Sequence, residues 1–269
     1  MSDTRGPSGD DIARAVRDML VAQRATPREQ YALLVKNDGG DRCSTRFGPV
    51  ANAALLLAVV ALLVGSRVGR DAARCRDLTL ACVATFVVVL AALYLFSARR
   101  LPGALGGLTP DDYRLSAAMD FAPATEIALV GFSASVDLLP VIEWTRPHAG
   151  LVAARVGLAA ATAASFVWIA GTPSHAFPQS HDLWSLATFS LILGYAGTVA
   201  GALGGAALWG LWALLIVDFA LALGGLGMVM HRGSFALLTI AEFCFIATLA
   251  VFLITAAYSA PGDYMMSGD

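Results

Sequence analysis

The sequence predicts an all-α integral membrane protein, a bundle of about seven transmembrane helices. The first observation is composition: 57% of the 269 residues are hydrophobic, only 14% are charged, and the mean hydropathy is +0.68. Such a chain is too apolar for an ordinary soluble domain. The second is that apolar runs of about twenty residues alternate with short polar breaks, as expected for helices crossing a hydrocarbon core about 30 Å thick.

Hydropathy divides the chain into three regions. Residues 1–46 form a polar tail, where "SGDDIARAVRDMLVAQR" and the segment opened by the capping box "TPRE" predict short amphipathic helices. Residues 47–258 form the transmembrane domain, and residues 259–269 form a polar C-terminal tail. We expect spans at 47–66, 78–96, 119–142, 151–171, 183–203, 207–230 and 235–257. If the third, which acids interrupt, does not cross, six spans remain.

The boundary between the fifth and sixth spans rests on two glycines. Residues 183–230 contain almost no charge, yet the run is far too long to cross a bilayer once. Gly204 and Gly205 supply a turn within it.

The basic residues of the short loops bear on the orientation in the membrane. Their count favours a cytoplasmic N-terminus by seven to five, although the compact basic loop "RVGRDAARCRD" favours the opposite orientation.

Ionisable residues inside the predicted spans are the candidate functional groups. Glu126 and Asp137 lie eleven residues apart in "ATEIALVGFSASVD", and eleven residues are about three helical turns, so both stand on one helix face. Each intramembrane charge costs about 2.5 to 3.5 kcal/mol on insertion scales. The predicted path for protons, cations or a small cationic solute comprises Glu126, Asp137, Arg155, Asp218 and Glu242.

A structural interpretation of the same residues is also open. Arg155 could pair with Asp137 or Glu126, and Asp218 could pair with Glu242, so that the charges only hold helices together. Glu143 beside Trp144 is interpreted as an ordinary charge at a membrane edge. The four histidines all fall in loops or at span edges, which argues against a haem or zinc site inside the bilayer. For His175 and His181, a solvated loop is predicted in preference to a surface metal site with Asp182.

The glycines of the fifth span predict close helix packing. Gly197, Gly201 and Gly205 recur every four residues, a spacing that lets helices approach closely within the chain or between chains. The expected partners are therefore the lipid bilayer and a second copy or another membrane protein. Basic residues are scarce after residue 115, which argues against nucleic-acid binding.

Signatures of enzymes and cofactors are scarce. The four cysteines form no CxxC motif and have no histidine at ligand spacing, and "GFSAS" lacks the GxSxG pattern of a nucleophile elbow. We therefore predict no catalytic residues, no metal site and no cofactor. An intramembrane enzyme acting on lipid is a weaker alternative, for which the sequence names no nucleophile.

Several residues resemble those of the microbial rhodopsin and heliorhodopsin superfamily. Arg114 and Pro123 have the nine-residue spacing often seen in its third helix, and "IAEFCFIA" is similar to its last helix, with Glu242 where an aspartate counter-ion often sits. The registers conflict, because Arg114 and Pro123 would place the primary counter-ion on Ala117. A retinal Schiff base needs a lysine amine.

The only lysine is Lys36, in the polar tail, and Ile246 occupies the position expected for the retinal lysine. The resemblance therefore implies a seven-helix relative without pigment. The residues themselves predict first a multi-pass transporter or channel-like protein with an acidic intramembrane site. The alternatives are a non-catalytic assembly or scaffold subunit, cellular or of a viral envelope, and a pigmentless opsin-like protein.

Overall fold

The computed structural model describes residues 70–100, 124–147, 151–170, 172, 178–232 and 236–259, and every regular element in these ranges is an α-helix. In chain order the helices are α1 (Ala72–Arg100), α2 (Ala124–Val136), α3 (Leu138–Thr145), α4 (Val152–Ala170), α5 (Pro178–Leu203), α6 (Ala206–Arg232) and α7 (Ala236–Tyr258).

Five of these helices, α1, α4, α5, α6 and α7, are long and apolar enough to cross a membrane. The prediction of a helical, multi-pass membrane protein is thereby confirmed. The predicted spans 151–171, 183–203, 207–230 and 235–257 correspond closely to α4 to α7. The predicted span 47–66 and the polar tail 1–46 lie outside the described residues, as does all of the C-terminal tail after residue 259.

The start of α1 differs from the prediction. The segment "RVGRDAARCRD" was predicted to be a loop, but α1 begins at Ala72, so the arginines at 74 and 76 belong to its first two turns. Asp71 explains the early start, because its Oδ1 accepts a hydrogen bond from the Ala73 N–H at 2.9 Å and caps the helix. The Asp71 N–H donates to the Thr145 carbonyl at 2.9 Å, which joins the start of α1 to the end of α3.

The predicted third span is described from Ala124 onward as two helices, α2 and α3, separated by a turn at Asp137. Pro140 explains the break, because it has no N–H to donate to the carbonyl of Val136 and its ring crowds that carbonyl. The Asp137 N–H still donates to the Ser133 carbonyl at 3.0 Å, so helical geometry continues up to the turn. Both helices pack against α1 and α4.

The predicted turn between α5 and α6 is confirmed at Gly204 and Gly205. Their φ angles are +71° and +92°, in the left-handed region that glycine adopts without a Cβ clash. The Gly204 N–H donates to the Ala200 carbonyl at 2.8 Å and closes α5. Only two residues therefore separate α5 from α6, which packs against α5.

The helices enclose a common centre. Helix α1 packs on α2 and α3, these pack on α4, α4 packs on α5, and α7 returns to α1. Helix α6 packs chiefly on α7, and secondarily on α5. Gly225 permits the close α6–α7 contact, since a Cβ there would lie 2.6 Å from the Leu238 backbone nitrogen.

Candidate functional site

Glu143, near the end of α3, is the centre of a fully buried ion cluster. Its side chain and those of Arg146 and Arg155 are all 0% exposed. Arg146 donates from Nη2 to Glu143 Oε1 at 3.0 Å and from Nε to Oε2 at 3.2 Å. Arg155, in the first turns of α4, donates from Nε to Oε2 at 2.9 Å. Both carboxylate oxygens therefore face a guanidinium.

Two further helices complete this arrangement, which we call the Glu143 cluster (Glu143, Arg146, Arg155 and Tyr195). The Tyr195 hydroxyl of α5 donates to Glu143 Oε1 at 2.7 Å. Arg146 Nη1 donates to the carbonyl of Ala256, in the last turn of α7, at 2.7 Å. The cluster thus ties α3, α4, α5 and α7 together at one end of the bundle.

The Glu143 cluster contains one carboxylate and two guanidiniums, so its formal charge is +1. Buried ions are tolerated only when charge pairing and hydrogen bonds replace their lost hydration. The prediction that Glu143 is an ordinary membrane-edge charge is therefore wrong, and the suggested pairing of Arg155 with Asp137 is wrong as well. The sequence does contain one indication of the Glu143–Arg146 ion pair, because "EWTR" places a carboxylate and an arginine three residues apart, a spacing at which helical side chains meet.

Asp137 lies at the break between α2 and α3, and its side chain is 3% exposed. Although it occupies the N-cap position of α3, its carboxylate makes no capping hydrogen bond. Neither Oδ1 nor Oδ2 has a hydrogen-bond partner within the described part of the chain. A buried carboxyl in this situation is costly as an isolated anion, and binding a proton or a cation removes that cost.

The other predicted path residues lie in different surroundings. Asp218 on α6 is 8% exposed, and its Oδ2 accepts a hydrogen bond from the Thr248 hydroxyl of α7 at 2.8 Å. Glu242, the suggested partner of Asp218, lies in the wall of a central cavity, and the suggested pairing stays a prediction. The backbone of Glu126 belongs to α2, but its side chain lies outside the described residues.

The central cavity has a volume of about 140 Å³ and lies among α1, α2, α3, α4, α5 and α7. Its walls are largely apolar, with the rings of Phe86, Phe132 and Phe166 in tilted and edge-to-face contact at centroid distances of 4.9 to 5.5 Å. The polar lining groups include Glu242, His181 and Thr162.

His181 is buried, contrary to the prediction that it lies in a solvated loop. Its side chain is 3% exposed, lines the central cavity, and lies 2.7 Å through Nδ1 from the Thr172 carbonyl. A carbonyl oxygen only accepts hydrogen bonds, so Nδ1 carries the proton. The span-edge position alone could not reveal this burial.

The three predicted packing glycines have unlike surroundings. A Cβ at Gly197 would lie 3.0 Å from Nε1 of Trp212, so this glycine admits the α6 tryptophan against α5. A Cβ at Gly201 or Gly205 would meet no atom within 4 Å in the part of the chain that the structure describes. Packing inside the bundle therefore accounts for Gly197, and the left-handed turn accounts for Gly205, whereas Gly201 stays a predicted contact for another chain.

These features define a multi-pass membrane protein with a helical bundle, a buried ion cluster at one end and an apolar cavity at its centre. Comparison with protein families, with curated proteins and with solved structures finds no match to this chain. The resemblance to microbial rhodopsins stays a prediction. Ile246, at the position expected for a retinal lysine, lines the central cavity.

Proposed function

We propose that this membrane protein is transporter-like or channel-like and that Asp137 binds a proton or a small cation during translocation. The observation that carries the proposal is the buried Asp137 carboxyl, both of whose oxygens lack a hydrogen-bond partner among the described residues. Intramembrane carboxyls in such positions commonly mark ion pathways and proton relays.

The helix break supports a site at this position. Transporters often bind substrates and ions where a membrane helix is discontinuous, because the break frees backbone carbonyls for coordination. Here Pro140 leaves the Val136 carbonyl without its usual donor, and this carbonyl is one residue from Asp137. A carboxylate and a carbonyl are both oxygen ligands, which suit a hard cation or a hydrated proton.

Glu126 is the second acid that the proposal places on this path. Glu126 lies in α2 and Asp137 at the turn that ends it, eleven residues later, which is roughly 16 Å along a helix at 1.5 Å per residue. This separation is too large for one ion to contact both carboxyls. The proposal therefore treats them as successive positions along about half of the hydrocarbon thickness.

Arg155, Asp218 and Glu242 enter the proposal differently. Arg155 stabilises Glu143, and the hydrogen bond between Asp218 and Thr248 joins α6 to α7, so we assign both residues structural roles. Glu242, in the cavity wall, stays a candidate for the path. The acidic path thus narrows from five residues to Asp137, Glu126 and Glu242.

Proteoliposome flux tests the proposal. The protein is reconstituted in sealed vesicles with a pH-sensitive dye inside, and proton and sodium fluxes are measured under an imposed gradient. Asp137→Asn keeps the side-chain size and removes the charge, so we expect at least a tenfold loss of flux. Asp218→Asn is the matched control, since the amide oxygen can still accept from Thr248, and its flux should match that of the unmodified protein. Equal flux in the Asp137→Asn variant contradicts the proposal.

A second candidate function is a membrane assembly subunit. Gly201 favours it, because a Cβ at this position would meet no atom within 4 Å in the described bundle, although its four-residue spacing from Gly197 suits close helix packing. In this case Gly201→Leu abolishes co-purification of a partner or a second copy and leaves the thermal stability of the single chain unchanged. Assembly is measured by light scattering coupled to size-exclusion chromatography in detergent, with Asp137→Asn as the variant that should assemble normally.

A further inference from the structure

We propose that the ion that Asp137 binds is a proton, and that His181 and Glu242 together form a second proton-binding site, the far site, at the other end of the central cavity. The inference rests on the proposed function, because it continues the path that starts at Asp137. It is carried by the depth of these residues in the bundle, by the tautomer of the His181 ring and by the lining of the cavity between them.

The Glu143 cluster gives the depth of the far site. Tyr195 of α5 belongs to that cluster, and His181 lies fourteen residues before it on the same helix. The cluster also contacts Ala256 of α7, and Glu242 lies fourteen residues before that residue. At the rise of an α-helix, both residues of the far site therefore lie roughly 21 Å from the cluster. Both also line the central cavity.

Asp137 lies between the far site and the Glu143 cluster. It precedes Glu143 by six residues, which is roughly 9 Å along a helix. Its own side chain is not among the described lining residues, but Val136 before it and Leu139 after it both line the cavity. The cavity therefore begins beside Asp137 and reaches the far site roughly 12 Å further from the cluster.

His181 has the tautomer that a proton relay requires. Its Nδ1 donates to the carbonyl of Thr172 at 2.7 Å, so Nε2 is the ring atom that gains or loses a proton. When one proton passes from Asp137 to Nε2, the carboxylic acid becomes a carboxylate and the imidazole becomes an imidazolium. Glu242, at the same depth, offsets the new positive charge when it is ionised. Intramembrane acids and histidines commonly form such relays.

The lining of the cavity favours a proton over a metal cation. Its walls are largely apolar, and among the described lining residues Glu242 contributes the carboxylate. Hard metal cations take about six oxygen ligands. The described residues contain no group of three or more His, Cys, Asp or Glu side chains that could hold such an ion. A metal cation would therefore lose its hydration in this cavity without gaining replacement ligands.

Water can carry a proton across the cavity. A single water needs only about 10 to 15 Å³, so the volume of about 140 Å³ has room for a short chain of waters. Apolar walls bind water weakly, and pores lined in this way open and close by filling and emptying. Cys82 also lines the cavity, but its thiol contacts the Ser135 hydroxyl at 3.7 Å and keeps its proton in an apolar wall. We therefore assign the relay to the far site.

Proton flux into proteoliposomes tests the far site. His181→Asn removes the titrating Nε2, whereas the asparagine amide can still donate to the Thr172 carbonyl, so a merely structural histidine would be replaced without loss. We expect the proton flux to fall by about tenfold or more. Glu242→Gln removes the carboxylate at nearly constant size and should lower the flux similarly. His231→Asn, at an exposed histidine near the end of α6, is the matched control and should leave the flux unchanged.

A second variant tests passage through the cavity. Ala250→Phe places a ring in the cavity from α7 and should lower the proton flux to the level of His181→Asn, because the ring displaces the water. If Ala250→Phe does not yield monodisperse protein, Ala250→Leu fills less of the same space and should lower the flux by a smaller factor. Unchanged flux in the monodisperse variant overturns passage through the cavity.

The remaining outcomes separate this inference from the proposed function. Uptake of radioactive sodium under the same driving force should equal that of protein-free vesicles, and sodium uptake that depends on Asp137 overturns the assignment of a proton. Full proton flux in His181→Asn or in Glu242→Gln, with flux lost in Asp137→Asn, overturns the far site and leaves the proposed function intact. Equal flux in Asp137→Asn contradicts the proposed function and overturns this inference with it.

Discussion

Replacing Glu143 with glutamine should destabilise the bundle more than any other single loss of a carboxylate charge among the described residues. The substitution keeps the side-chain shape and leaves Arg146 and Arg155 buried without their shared counter-charge. Each ion pair is worth about 4 kcal/mol before desolvation, for charge centres about 4 Å apart in an effective dielectric of about 20. Removing one partner of a buried ion pair typically costs about 3 to 5 kcal/mol, which we expect for Glu143→Gln.

The charges also predict which substitution in the Glu143 cluster lowers the free energy of unfolding most. Arg155→Met leaves Glu143 paired with Arg146 and hydrogen-bonded to Tyr195, and it lowers the formal charge of the cluster from +1 to zero. Arg155→Met should therefore lower the free energy of unfolding by less than Glu143→Gln does. Tyr195→Phe removes one hydrogen bond to a charged group, which is typically worth about 1.5 to 3 kcal/mol.

Reversible unfolding in mixed detergent micelles, followed by tryptophan fluorescence, gives the free energy of unfolding of each variant. Asp218→Asn is the control, since its single hydrogen bond to Thr248 can be kept. The reasoning is refuted if Glu143→Gln lowers the free energy of unfolding by less than about 1 kcal/mol, the range of an ordinary surface ion pair. It is also refuted if Arg155→Met is the more damaging change.

Three further substitutions test packing and capping, each through the same unfolding measurement. Gly225→Ala should lower the free energy of unfolding by about 1 to 3 kcal/mol, because the added Cβ would lie 2.6 to 2.7 Å from the Leu238 backbone and overpack the contact. Gly201→Ala is the control and should be neutral or slightly stabilising, because its Cβ would meet no described atom within 4 Å. Equal effects at both glycines would contradict this. Asp71→Ala removes the cap of α1 and should cost about 0.5 to 2 kcal/mol, with no change expected from Asp71→Asn. Ala250→Leu fills part of the central cavity and should raise stability by about 0.5 to 2 kcal/mol; a loss would show that this wall cannot accept more volume.

The transmembrane helices could be predicted because the bilayer imposes one strong rule on the chain. Backbone groups in hydrocarbon must be satisfied within the helix, so long apolar runs define helices whatever their neighbours. The ends of α4 to α7 follow this rule closely. The start of α1 does not, because the Asp71 cap begins a helix inside a charged segment that hydropathy treats as loop.

The surroundings of the ionisable residues could not be predicted in the same way. Hydropathy locates a charge along the membrane normal but contains no information about which helices face it. The position of Glu143 near a span end predicted an exposed charge. Its partners, however, include Arg155, twelve residues later, and Tyr195, fifty-two residues later. The burial of His181 likewise depends on which helices close around it, which no local pattern encodes.

The contact between Arg146 and Ala256 has a consequence for the order in which the protein is made. The two residues are 110 positions apart, and Ala256 belongs to the last described helix. During synthesis, Arg146 and Glu143 enter the membrane well before α7 leaves the ribosome, and they can already pair within their own segment because they are only three residues apart. Until α7 arrives, the Nη1 group of Arg146 lacks this acceptor. The nascent chain therefore completes the hydrogen bonds of Arg146 only when α7, the last described helix, has inserted.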